Sequence, residues 1–203
     1  MDLLTFVTSE LPPAPARVLE VGCGQGELAL TLDEHGHRVT AIDPAAPEGD
    51  IFRAVSLAEF ESAERFDAAV ASRSLHHIAD LGAAVEKLHG LIRPGGRLIV
   101  FEHAPERLDE RTARWFLGKH HHNHPGDPPT PEAWLTRWKA DHAGLHSGAA
   151  LLRELGRRFE ERRFSWAPYL HRELGEDDGD EERRLIEAGE IQATGFVYVG
   201  EPR

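Results

Sequence analysis

Residues 18–26, VLEVGCGQG, join an apolar run that carries one acid to three glycines at alternate positions, Gly22, Gly24 and Gly26. The run reads as a buried strand, and Leu28, Ala29, Leu30 and Leu32 begin a helical pattern beyond it, so the glycines fall between a strand and a helix N-terminus. Bare backbone there lets a ligand approach closely, and the amides of the first helical turn are free to donate. The dinucleotide fingerprint GxGxxG would need a small third residue at position 27, which is Glu27. That carboxylate, with Glu20 at the strand end, sets negative charge where a pyrophosphate would lie, whereas a ligand with an ammonium and no phosphate accepts both acids. Asp43 closes the next apolar run, where an open α/β sheet meets a ribose. His76 and His77, adjacent in SRSLHHI, and His103, at the end of RLIVFEH, place imidazoles at strand ends, where a pKa near the working pH suits a general base.

Glu20 before GxGxG, followed by Asp43, resembles motif I and the next acidic motif of class I S-adenosylmethionine-dependent methyltransferases. FDAAV with its polar turn and LHHI resembles the motif IV region of the small-molecule members. The resemblance covers residues 15–103 by motif and the remainder by element order. It implies S-adenosylmethionine as cofactor, with Gly22, Cys23, Gly24 and Gly26 under its methionyl part. Glu20 would then reach the ammonium directly or through water, and Asp43, with Pro44, would meet the ribose. Ser72 and Leu75 complete the implied cofactor wall after the fourth strand. Ser56 and Leu57 occupy the adenine position. Ser56 stands where relatives carry an acid, so a backbone contact near Leu57, or Asp50, would do that work. If the acceptor is a hydroxyl, His76 and His103 are the candidate bases. The implied activity is methyl transfer to an oxygen, nitrogen or carbon of a small molecule. A catalytically silent S-adenosylmethionine-binding protein and an NAD-type oxidoreductase are the alternatives, the latter opposed by Glu27.

These residues need a scaffold, and 203 residues suffice for one domain with an insertion. The expected fold is a three-layer α/β sandwich around a mostly parallel seven-stranded sheet, as the family resemblance implies. Strands are read at 18–21, 39–42, 51–55, 66–71, 97–101, 159–166 and 191–199, and helices at 27–35, 83–91, 108–119, 131–140 and 149–158. Residues 1–11 form an amphipathic piece that either closes over the cofactor or packs across the sheet edge. Only DPAAPEGD separates the second run from the third, too little for a crossover helix. The sequence PGG at 94–96 marks a reversal, and GEDDGD at 175–180 reads as an acidic loop.

Residues 104–147 change composition and hold three of the four tryptophans. They are read as a helical, substrate-capping insertion after strand five, with Trp115, His120 and Trp134 lining the acceptor site. The HHHNH run at 120–124 lacks a scaffold for tetrahedral spacing, so a solvent-facing or substrate-lining turn is preferred to a metal site. Arg153, Arg157, Arg158, Arg162 and Arg163 form the one basic concentration, either a solvated face balanced by neighbouring acids or a dock for an anionic partner. The net charge of −12 opposes a nucleic-acid partner, and the lone Cys23 rules out an intrachain disulfide. With no membrane-length apolar stretch and no basic secretory start, the expectation is a cytoplasmic monomer or homodimer acting on a small molecule.

Overall fold

A computed structural model describes residues 3–119, 128, 130–175 and 179–203. The strands are β1 (Arg17–Val21), β2 (Arg38–Ile42), β3 (Phe52–Arg53), β4 (Phe66–Ser72), β5 (Ile92–His103), β6 (Phe159–Ala167) and β7 (Gly195–Pro202). They form one sheet in the order β3-β2-β1-β4-β5-β7-β6. The pairings from β3 to β5 are parallel, and β7 runs antiparallel to both β5 and β6. The helices are α1 (Leu3–Glu10), α2 (Glu27–Glu34), α3 (Leu81–Leu91), α4 (Glu110–Lys119), α5 (Pro131–Asp141), α6 (Gly148–Arg158) and α7 (Asp180–Glu187).

The period-two alternation of the strands builds the three layers. Leu19 and Val21, Ala69 and Ala71, Leu98 and Val100, and Phe196 and Tyr198 share one core with α3 and α6. Their neighbours Val18, Ala68, Val70, Ile99, Phe101, Val197 and Val199 share the other with α1 and α2. Each fully buried aliphatic side chain contributes about 1.5–3 kcal/mol of transfer energy, so one residue of register slip would invert both cores. A third, smaller core of Leu108, Phe116, Trp138 and Leu170 holds α4 and α5 together.

Ends of elements follow local chemistry. Gly36, at φ +84°, ends α2 in the left-handed conformation. Asp80 and Ser147 cap α3 and α6, accepting from the N–H groups of Ala83 and Ala150. β5 begins five residues before the expected strand, because Ile92 already pairs with Phe66. The register then jumps to Arg97 opposite Ala68, so the expected reversal at 94–96 is a bulge within a longer strand, with Gly95 at φ +72°. The third run yields only two paired residues. α7 was not foreseen: Asp180, Glu181 and Glu182 fill its first turn, where acids favour a helix start. Among the described residues no helix is long and apolar enough to cross a membrane.

Candidate functional site

The strand order reverses at β1, with β2 on one side and β4 on the other, and a crevice opens beyond their C-terminal ends. The chain leaves β1 through Gly22, whose N–H donates to the Ile42 carbonyl at 2.8 Å. Gly22, Gly24 and Gly26 hold φ values of +75°, +52° and +84°, yet they serve different neighbours. A Cβ at Gly22 would lie 2.3 Å from Ser74 Cβ, and one at Gly26 would lie 2.4 Å from the Phe52 ring. A Cβ at Gly24 would meet nothing within 4 Å, so this glycine leaves bare backbone facing the crevice. Asp43 secures the loop from across the crevice, its Oδ2 accepting from Gly24 N–H at 3.2 Å and its Oδ1 from Ala45 N–H at 2.8 Å.

Two cavities line this crevice. One, of about 680 Å3, is walled by apolar groups that include Ile42, Pro44, Val55, Leu57 and Ile78, with Ser56 and Asp80 among its polar residues. The other, of about 580 Å3, takes in Glu20, the glycine loop, Ser72, His76, Tyr169 and Arg172. Gly22, Asp43, Arg73 and His77 border both, so the two are halves of one cleft. Glu20 is 4% exposed, and its Oε2 has no hydrogen-bond partner. Burial pushes its pKa up to about 7, against a smaller opposite pull from the Ala29 backbone. An orphaned carboxylate beside bare glycine backbone, with an apolar slot beyond Asp43, fits an amino acid joined to a nucleoside: ammonium on Glu20, ribose at Asp43, base in the slot. The donor set therefore fits S-adenosylmethionine.

A second buried acid organises the other wall. Glu102, at the C-terminal end of β5, is 0% exposed. Its Oε1 accepts from the N–H groups of Ser74 and Leu75, at 2.8 and 2.7 Å, and its Oε2 accepts from His103 N–H at 3.2 Å. The same Oε2 lies 2.5 Å from His76 Nδ1. With three backbone donors already on it, the carboxylate acts as acceptor, so Nδ1 carries the imidazole proton and Nε2 is left with a free lone pair. His76 lines the cleft from the short turn Leu75–His77. Arg73, directly before that turn, holds φ +54° without being glycine, its N–H bonded to the Phe101 carbonyl at 2.8 Å.

The structure brings Glu20, Gly22, Cys23, Gly24, Gly26, Asp43, Pro44, Ser56, Leu57, Ser72 and His76 to the walls of this one cleft. The Ser56 hydroxyl is already turned to Glu59, 2.7 Å away, and Asp50 borders neither half. Leu75 is corrected: its side chain is fully buried in the core with α3, and only its backbone faces Glu102. His103 is corrected as well. It lies 2% exposed on the face opposite Glu102, stacked 4.1 Å from Tyr169, and it lines neither half of the cleft. Burial, then the charges of His142 and His76, press its pKa down to about 3, too low for a base. Trp115 and Trp134 pack against the core between α4 and α5 instead of lining the cleft, because that pair of helices must bury its own apolar faces. His120, with the histidine run at 120–124, lies outside the described residues. At the N-terminus both expectations meet, since Phe6 and Val7 are buried against the sheet while Leu3 reaches the cleft.

Glu102 was read from the sequence only as a ligand-facing position at the end of its strand, without its partner His76, and Arg73, Tyr169 and Arg172 escaped the reading. That position was legible because an acid at the C-terminal end of a central strand is placed to face a ligand. The last two come from the connection between β6 and β7, which carries no motif.

A family model described as a methyltransferase domain matches residues 1–146. A ubiquinone biosynthesis O-methyltransferase of Xylella fastidiosa (strain 9a5c) is 31% identical over 70% of this chain and 66% of its own length. An uncharacterised methyltransferase of Mycobacterium bovis is 33% identical over 68% of this chain and 81% of its own. The chain spans about half to two thirds of the length of the first curated O-methyltransferases it matches. Among solved structures, N-methyltransferase NodS of Bradyrhizobium japonicum WM9, in complex with S-adenosyl-L-homocysteine, superposes with a TM-score of 0.58 at 14% identity, covering 98% of this chain and 84% of that one. At that identity the likeness shows the fold. With the family model spanning most of the chain and the cleft built as such a cofactor requires, this protein belongs to the S-adenosylmethionine-dependent methyltransferases.

Proposed function

We propose that this chain transfers a methyl group from S-adenosylmethionine to a hydroxyl oxygen of a small molecule, with His76 as the general base. The observation that carries the oxygen assignment is the buried His76–Glu102 pair, at 2.5 Å, on the wall of the cleft. When bound, the cofactor supplies a methyl group on a sulfonium, already a strong electrophile. The protein's part is therefore alignment, exclusion of water and removal of one proton. Glu20 would receive the ammonium, Gly24 would give the bare backbone and Asp43 would take the ribose hydroxyls. The apolar slot around Pro44, Val55, Leu57 and Ile78 would hold the adenine. His76 Nε2 accepts the hydroxyl proton as the oxygen attacks, and Glu102 fixes the tautomer and steadies the imidazolium that forms. The helices of residues 104–147 are read as the cap of a single methyltransferase domain, tied to its body through Trp138, which meets His103 and donates to the Pro105 carbonyl.

The test is methyl transfer from labelled S-adenosylmethionine into a pool of hydroxylated small molecules, with His76→Ala and Glu102→Gln beside the parent. Label in a methyl ether is expected. His76→Ala should lower kcat by about 10²–10⁴-fold with S-adenosylhomocysteine affinity unchanged. Glu102→Gln should lower kcat by about tenfold or more, again with S-adenosylhomocysteine affinity unchanged. Label found on nitrogen or carbon alone, or an undiminished His76→Ala rate, would overturn the oxygen reading.

A further inference from the structure

The half of the cleft that takes in Glu20, the glycine loop and His76 carries two cations that, among the described residues, have no counterion. Arg73 and Arg172 both line it, one from the turn after β4 and the other from the turn at Leu170–Arg172 between β6 and β7. Among the described residues neither guanidinium has a carboxylate within ion-pairing distance, and Arg172 Nε is buried with no hydrogen-bond partner. The basic concentration on α6 and β6 behaves differently. Arg153, Arg157, Arg158, Arg162 and Arg163 each sit against a glutamate. In a chain of net charge −12, counter-carboxylates are not scarce, so an unpaired pair of arginines in a cleft is a specific arrangement. Burial, and then the charge of Arg73, lower the pKa of Arg172, which places the two guanidiniums in electrostatic reach of each other. The Arg172 guanidinium also rests 5.5 Å from the centre of the Phe101 ring, which holds it toward the sheet. Arg73 adds a second sign of function: a non-glycine residue kept at φ +54° stores strain that its neighbours must hold in place.

We propose that Arg73 and Arg172 form an anion-binding subsite that takes a carboxylate on the methyl acceptor, so the acceptor class is a hydroxylated organic acid. This rests on the methyl-transfer reading above. The charge balance favours the acceptor over the cofactor as the source of the anion. The cofactor offers one carboxylate, which its own ammonium and sulfonium already overbalance, and Glu20 awaits the ammonium. Two guanidiniums carry one positive charge more than that single carboxylate, so the site still calls for a second anion, which the acceptor supplies. An acceptor anion held there would lie in the same half of the cleft as His76, which Tyr169 also lines. Arg172, with its planar fork, would grip the carboxylate by two parallel N–H donors, and Arg73 would supply the second charge.

The experiment is calorimetry on the full chain. The parent protein, saturated with S-adenosylhomocysteine, is titrated with benzoate and with benzamide, a neutral molecule of nearly the same shape. Benzoate is expected to bind about tenfold tighter, as charge-assisted hydrogen bonds require. The preference should vanish in Arg172→Leu and shrink in Arg73→Asn, which tolerates the left-handed backbone. In both variants S-adenosylhomocysteine and 5′-methylthioadenosine should keep their affinities within about threefold. Equal binding of the two probes by the parent, or no binding of either, would overturn the proposal. So would a variant that loses S-adenosylhomocysteine but not 5′-methylthioadenosine, because the anion would then be the cofactor's own. A parent that binds no S-adenosylhomocysteine would instead remove the methyl-transfer reading itself.

Discussion

Glu20 carries the sharpest pH signature of the cleft. Its pKa of about 7 in the folded chain lies above the ordinary glutamate value, so the folded state holds this proton more tightly than the unfolded one. The penalty is absent below pH 4.5, grows as pH rises toward 7, and reaches about 3 kcal/mol above it. An arriving ammonium reverses the sign, since it favours the ionised form. S-adenosylhomocysteine should therefore bind more weakly as pH falls below 7, by up to about tenfold per unit, with release of a proton. Calorimetry between pH 5.5 and 7.5 measures both quantities, and Glu20→Gln should flatten the dependence. A parent protein whose affinity is level across that interval would contradict the assignment of the ammonium to Glu20. At this scale much of the site was legible in the sequence. Glu20, Gly24 and Asp43 each sit at the end of an apolar run or in the turn directly after it, and the structure brings all three to the cleft. The His76–Glu102 pair was not legible as a pair, since 26 residues and a sheet register separate its members. On β5, the two-residue period sends Glu102 to the same face as Val100 and His103 to the other, and only the tertiary fold shows which face meets the cleft.

Among the elements, the shortest strand bears directly on the glycine loop. The nine residues between β2 and β3 hold no helix, and Phe52 of β3 instead sets its ring against Gly26, with Gly49 approaching the same ring. The short link seen in the sequence therefore shortens the strand and brings an aromatic ring onto the glycine loop. Gly26→Ala should lose about 2–4 kcal/mol in urea unfolding, from the left-handed φ together with the clash at 2.4 Å. Replacing Phe52 with Ala in that background should relieve the clash and leave the backbone strain. A double-mutant cycle would then show coupling of about 1 kcal/mol or more, and additive losses would refute the contact. Period and punctuation revealed β1, β2, β4, α2 and α6 in outline. They could not reveal α7, whose charged sequence has the composition of a loop. Its Glu182 is buried, accepting from the N–H groups of Tyr169, Leu170 and His171, which repeats on a second turn the device by which Glu102 holds the first. Trp115 and Trp134 misled for a related reason: aromatic residues at helical spacing serve a core and a pocket equally well.

For the molecule as a whole, His103 opposes Glu20 in the pH dependence of folding. A folded-state pKa of about 3, against an ordinary 6.5, means that the unfolded chain takes up this proton first. The stability His103 contributes is complete above pH 6.5 and is lost as pH falls toward 3, by about 5 kcal/mol at most. His103→Phe keeps a ring against Tyr169 and removes the buried Nε2 that has no partner. It should move the acid-unfolding midpoint, followed by circular dichroism, to lower pH while leaving the methyl-transfer rate within about threefold of the parent. An unmoved midpoint would show that acid unfolding is governed elsewhere.

The antiparallel β7 has a consequence for how the chain is made. It lies between β5 and β6, yet its residues, Gly195–Pro202, follow both in sequence. During synthesis the edge of β5 stays unpaired while some ninety further residues leave the ribosome, and β6 has no neighbour to join. The nascent sheet is thus an open template until one late strand is translated, and chaperone occupancy should peak in that interval.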